Sequence, residues 1–287
     1  MTHDLTNQGQ TYPLKFNDDG SLSFFWFDAH EENYGADIYL FGKVWQPEIK
    51  SFVSCSLKVQ GMERTVFVYP KVKNGSQRQT MSEEEENLLK QSMIIEFNTL
   101  RATQFKKITK FKCKFVSRKY CFERPIPHGE HKFLKIKYSA TEPPLPQSLR
   151  GNTFECIFGA QQSMLELFIL KRKIKGPCWL KIKKPVKNNQ FKLTWCKHEV
   201  YINDPKDVEI TIDELNRESP PLTCLSFSLK TARSPDNTNE VAMISCLVQN
   251  QINQDGPTKD NSQIQRFSLV RRLQSNPWPF DLQQRLK

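Results

Sequence analysis

Few residue groupings in this chain could carry chemistry. In "LSFSLKT", Leu225–Thr231, the apolar residues Leu225, Phe227 and Leu229 alternate with Ser226, Ser228 and Lys230, which reads as a β-strand with one buried face. Two carboxylates at positions 228 and 230 would share the other face and could hold divalent metal between them, but a hydroxyl and an ammonium stand there. His128 and His131, in "IPHGEHKF", have a spacing that could ligate a metal. Pro127 and Gly129 make that stretch a loop with no cysteine close by, so solvent-facing histidines are the favoured reading. Cys196, His198 and Glu199 resemble a nucleophile and its base only superficially, because neighbours along a strand face opposite ways. The glycine patterns of P-loops and dinucleotide folds, GxSxG and HExxH are all absent.

The basic residues are more informative. From Leu167 to His198 there is no Asp or Glu, and ten Lys or Arg occur. From Phe97 to Phe122 a second acid-free window holds Arg101, Lys106, Lys107, Lys110, Lys112, Lys114, Arg118 and Lys119. Any one lysine is a solvated side chain; two such windows make a positive surface suited to phosphate backbones. The later window is preferred because it is longer and spans the turn "KGP". Its candidate nucleic-acid contacts are Lys171, Arg172, Lys173, Lys175, Lys181, Lys183 and Lys184. Aromatic residues are interleaved. Phe111 and Phe115 fall opposite the lysines and read as core, whereas Trp179 and Trp195 are open between core and base stacking.

The elements that must position these residues follow from the pattern. "SLSFFWFDAHEENYGADIYLFGKVW" reads as strand, turn, strand, and "SFVSCSLKVQGMERTVFVYP" as two strands about Gln60-Gly61, together an antiparallel meander. Ser82 followed by Glu85 caps a helix with a stripe of Leu88, Leu89, Met93 and Phe97. "KKITKFKCKFVSRKYCFE" and "HKFLKIKYSA" are strands with one lysine-rich face. "QQSMLELFILKRKI" is a short helix carrying Leu165, Phe168 and Ile169 on one face, and "GPCWLKIKKP" is a strand. "ESPPL", around Ser219-Pro220-Pro221, is the best boundary. After it come a hairpin, a third strand "IQRFSLVRR" and a final turn or helix start in "NPWPFDLQQRLK". Three strands are too few for a well-buried domain.

The chain's 287 residues, 38% apolar and 25% charged, suit one large or two modest globular domains. The net charge is +11. No run approaches 18 apolar residues, so no membrane span is expected. The polar first 20 residues lack the apolar segment of a secretory signal and read as a disordered leader. Eight scattered cysteines without CxxC point to reduced, mostly buried thiols in a cytosolic or nuclear protein.

The runs "FFWFDAHEE", "LFGKVW", "MERTVFVYP", "KYSATEPPLPQSLRGNTFECIFG", "LELFILKRKIKGPCWL" and "PPLTCLSFSLKT", in this order, resemble the B-family replicative DNA polymerases. The likeness spans Phe24 to Phe280, and "RKIKGPCWL" at Arg172–Leu180 is its most specific part. It implies an α+β chain: a disordered leader over 1–20, a mixed, mostly antiparallel N-terminal polymerase domain over 21–219, and the first strands of an incomplete RNase H-like exonuclease domain over 220–287. Proofreading members carry "FDxET" on the first exonuclease strand, and its Asp and Glu hold the metals. Phe227–Thr231 matches that motif with Ser228 at the Asp position and Lys230 at the Glu position. Mg²⁺ needs anionic oxygen ligands, so the resemblance implies a disarmed site.

The resemblance further implies a nuclear protein. It would be the front of a DNA-directed DNA polymerase, a nucleotidyltransferase that extends RNA primers at replication origins and on the lagging strand. Its partners would be DNA template, RNA–DNA primer, primase and an accessory subunit. Mg²⁺ would serve the full-length enzyme and no cofactor this chain, which lacks the palm motifs. The alternative is a stand-alone, catalytically silent protein that binds single-stranded nucleic acid.

Overall fold

The aromatic and aliphatic residues of the first strands fold as alternation dictates. β1 (Leu22–Glu32), β2 (Asp37–Gln46) and β3 (Ser51–Val59) pair antiparallel in succession. The structure, a computed structural model, describes residues 12–71, 82–122, 125–189, 192–210, 218–234, 236–256, 264–271 and 281. The chain divides into two units, residues 1–217 and 218–287. The turn or helix start expected near the end lies outside the described residues, apart from Asp281.

β4 (Glu63–Pro70) departs from the expected meander. It leaves β3 and enters a second sheet with β5 (Phe111–Tyr120), β6 (Gly129–Ser139) and β7 (Phe154–Phe158), ordered β5-β6-β4-β7 and antiparallel throughout. The chain can turn out of the first sheet because Gly61 takes φ +78°, where a Cβ would meet the Asn203 carbonyl oxygen at 2.1 Å. Helix α1 (Glu83–Thr103) covers one face of the second sheet and starts with the expected capping box between Ser82 and Glu85. Met93 and Phe97 enter a core with Val66, Val68, Leu134 and Ile136, while Leu88 is exposed. Successive residues lie 100° apart, so the i, i+4 series 89–93–97 faces the sheet and its neighbour Leu88 turns away.

The first sheet is completed by β8 (Cys178–Ile182), β9 (Val186–Lys187), β10 (His198–Ile202) and β11 (Val208–Glu209) in the order β11-β8-β1-β2-β3-β10-β9. β10 runs parallel to β3 and the other pairings are antiparallel. The architecture is therefore α+β, as the sequence implies. Helix α2 (Met164–Arg172) buries Met164, Leu167 and Phe168 against the sheet core of Phe24, Leu40, Leu57 and Leu180, with Leu165 and Ile169 at the edge. Burying each such side chain stabilises the fold by about 1.5–3 kcal/mol.

Residues 12–20, expected within a disordered leader, are held instead. Leu14 is buried in the same core, the Pro13 carbonyl accepts from Gln46 Nε2 at 3.2 Å, and Asp19 pairs with Lys181 at 2.6 Å. Leu14 and Phe16 supply the apolar anchors that a polar composition obscured.

The second unit is a three-stranded antiparallel sheet of β12 (Leu222–Arg233), β13 (Asn239–Ile252) and β14 (Ile264–Val270). Leu225, Phe227 and Leu229, expected to be buried, are exposed together with Phe267 and Leu269. Among the described residues of this unit no second layer covers that face.

Candidate nucleic-acid interface and the serine row of the second unit

Ser228 and Lys230 lie on the face of β12 opposite Phe227 and Leu229. Across the sheet Ser228 stands opposite Ser245, which in turn stands opposite Ser268. The Ser245 and Ser268 hydroxyls hydrogen-bond at 3.0 Å. In the next row Lys230 lies beside Met243 and Val270, and on the other side Ser226 aligns with Leu247 and Arg266. Neutral hydroxyls flanked by Lys230 and Arg266 are a donor set unfit for Mg²⁺, which takes carboxylate and carbonyl oxygens. Among the described residues no group of three His, Cys, Asp or Glu could hold a metal ion.

The other small constellations resolve into structural roles. His131 is buried rather than solvent-facing: its Nε2 lies 2.7 Å from the Pro127 carbonyl and its ring packs edge-on to Tyr69. Placement on β6 beneath the 125–128 loop covers it, while His128 stays exposed. His198 is also buried, with Nε2 3.1 Å from Gln46 Oε1. Burial and then the neighbouring lysines hold His198 below its usual pKa, so it is neutral. Glu199 points elsewhere, accepting from the backbone N–H groups of Leu193 and Thr194, the Thr194 hydroxyl and the Asn188 amide. Burial pushes its carboxyl pKa up, but these hydrogen bonds outweigh burial and hold it below the usual range. No nucleophile–base pair forms. The cysteines are free thiols; Cys55 and Cys156 are buried, while Cys121 and Cys224 are exposed, against the expectation of mostly buried sulfur.

The seven candidate cations separate into groups. Lys171, Arg172, Lys173 and Lys175 line one cavity at the end of α2, with a volume of about 590 Å³, shared with Val208 and Glu209. The helix stops there because Lys173 adopts the left-handed conformation, φ 59°, letting the Ile174 N–H reach the Ile169 carbonyl at 3.0 Å. Lys181 and Lys183 are spoken for: they pair with Asp19 at 2.6 Å and Glu209 at 2.7 Å. Lys184 is exposed with φ 49°. Trp179 is buried in a ring ladder with Phe25 and Phe52, and Trp195 is fully exposed.

Charge also gathers on a face to which the acid-free windows pointed only in part. The face of the second sheet opposite α1 sets Lys112 directly across from Lys137 and Lys114 directly across from Lys135. Lys135 and Lys137 lie on β6, outside both windows because Glu123 and Glu130 precede them. The signal that could have found them is the Lys-x-Lys alternation in "LKIK", matched to "FKCK" on β5. Lys135 Nζ also sits over the Phe67 ring, 5.6 Å from its centroid.

Comparison with known proteins gives the setting for this geometry. Residues 155–276 match the model of the DNA polymerase family B exonuclease domain, a match that begins in β7 and runs across both units. Over that stretch the chain is similar to the B-family DNA polymerases. Along nearly its whole length it is similar to DNA polymerase alpha catalytic subunits. Identity is 53% over 279 residues with that of Oxytricha trifallax (97% of this chain, 18% of the relative), 54% over 278 residues with that of Sterkiella nova (96% and 18%), and 36% over 292 residues with that of Xenopus laevis (100% and 20%). The chain therefore spans about a fifth of the length of these relatives.

Proposed function

We propose that the chain serves as the N-terminal region of a DNA polymerase alpha catalytic subunit, contacting template and carrying an exonuclease strand that has lost its metal site. The parent protein extends RNA primers with deoxynucleotides in the nucleus, beside primase and an accessory subunit, with Mg²⁺ at an active site outside this chain. The observation that carries the reading is the serine row. In a region similar to a B-family exonuclease domain, the positions that the resemblance to "FDxET" gives to two carboxylates hold Ser228 and Lys230, and their cross-strand neighbours Ser245, Ser268 and Met243 are not carboxylates either. With hydroxyls in place of anions, the strand cannot gather the two metals that activate water. What it retains is cationic surface, including the Lys171–Lys175 turn.

The second reading, a stand-alone single-strand-binding protein, shares the silent strand and the cationic surface. An antibody to this region, applied to denatured cell extract, separates the two. A band far above 33.6 kDa is expected for the polymerase reading. A sole band near 33.6 kDa would overturn it and leave binding as the function.

A further inference from the structure

In an antiparallel pair, directly opposed side chains are close neighbours, and like charges placed there destabilise the sheet. This protein does so twice in succession, Lys112 against Lys137 and Lys114 against Lys135. Arg118 follows on the same face of β5, across from His131. The end of α2 adds Lys171. The pKa of Lys171 is lowered by burial first and then by Lys137 and Lys135; that of Lys135 is lowered by burial and then by Lys137, Arg118 and Lys114. Glu63 is the carboxylate paired with this group among the described residues, 3.0 Å from Lys137 and 3.6 Å from Lys112. The six cations of this face come from three elements, and two of them, Lys112 and Lys137, share the one carboxylate of Glu63. A fold that tolerates such repulsion while empty is relieved when an anion arrives.

The form of the array narrows the ligand. Residues two apart on a strand repeat at about 6.8 Å, so β5 and β6 present two parallel rows of regularly spaced charge. Aromatic rings share the face. Phe67 lies half-buried beneath Lys135, and at the end of β5 the exposed Phe122 meets Tyr120 at 5.6 Å between ring centroids. An acidic peptide has no use for exposed rings, and a duplex hides the faces of its bases. Cations with accessible aromatics suit a single strand.

We propose that the β5–β6 face of the second sheet, with the end of α2, docks single-stranded nucleic acid, its phosphates on Lys112, Lys114, Arg118, Lys135, Lys137 and Lys171 and a base on Phe122. The inference rests on the template-binding reading above and moves its centre from the α2 turn onto the sheet.

The test is fluorescence anisotropy of a labelled 20-nucleotide oligothymidylate titrated with the full chain at several salt concentrations. Lys114→Gln/Lys135→Gln should weaken binding about tenfold at low salt. It should also reduce the slope of log affinity against log salt by about 1.4, because each single-strand phosphate left without its cation removes about 0.7. Its melting temperature should equal or exceed that of the parent, since two opposed cations are gone, which excludes misfolding as the cause. Phe122→Ala should weaken binding and leave the salt slope unchanged. Lys50→Gln/Lys206→Gln, with the same loss of charge on exposed residues elsewhere, should retain both affinity and slope. Parental affinity and slope in Lys114→Gln/Lys135→Gln would overturn the sheet assignment and leave template binding standing. Equal binding of polyglutamate or of a 20-base-pair duplex would overturn the choice of a single strand. No binding by the parent chain would overturn both the inference and the reading beneath it.

Discussion

Glu199 shows how a residue suggestive of chemistry is consumed by structure. Its nearly buried carboxylate ties Asn188, Leu193 and Thr194 to β10 through several hydrogen bonds, and hydrogen bonds to a charged group contribute about 1.5–3 kcal/mol each. Glu199→Gln places an amide NH₂ against these donors, and an unfolding free energy lower by about 2 kcal/mol is expected at pH 7 in urea titration. The folded pKa lies below the usual 4.5, so the carboxylate's contribution is complete above that value and fades as pH falls through the lowered folded pKa. The difference between parent and variant should therefore shrink on acidification and stay constant above about pH 6. Spacing alone could not reveal this, because Cys196, His198 and Glu199 are adjacent in sequence yet serve different partners. Ser228 and Lys230 were legible because a two-residue repeat on a strand fixes a shared face whatever the rest of the fold does.

At the scale of elements, the long strands and both helices could be read from alternation and capping. Pairing could not. β4 reads as the fourth strand of a meander, yet it joins a different sheet, because the turn at Gly61 is set by a backbone contact with Asn203, far along the chain. Gly61→Ala forces a non-glycine residue into the left-handed region, costing about 1–2 kcal/mol, and adds a clash with backbone that has no easy escape. A loss of several kcal/mol in thermal unfolding is expected; a loss below about 1 kcal/mol would show that the crossover between sheets can relax. The two-residue strands β9 and β11 were invisible for a similar reason, since a pair of residues carries no periodicity. The same limit hid half of the cationic face: Lys135 and Lys137 gain meaning only once β5 and β6 are in register.

For the molecule as a whole, the charge of +11 is spread unevenly. In the first unit, Lys181 and Lys183 have carboxylate partners, whereas the sheet lysines crowd one another around Glu63. In the second unit Ser228 and Lys230 stand on β12 across from Ser245 and Met243, a neutral and cationic pair with no carboxylate opposite either. These features fit a region that holds nucleic acid without cutting it. One reaction tests that directly: the purified chain, a single-stranded oligonucleotide labelled at its 3′ end, and Mg²⁺, with binding and label release followed together. Salt-sensitive binding with the 3′ label retained is the expected result. Release of the label that requires Mg²⁺ and disappears in Lys230→Ala would contradict it, because Lys230 would then serve a working nuclease.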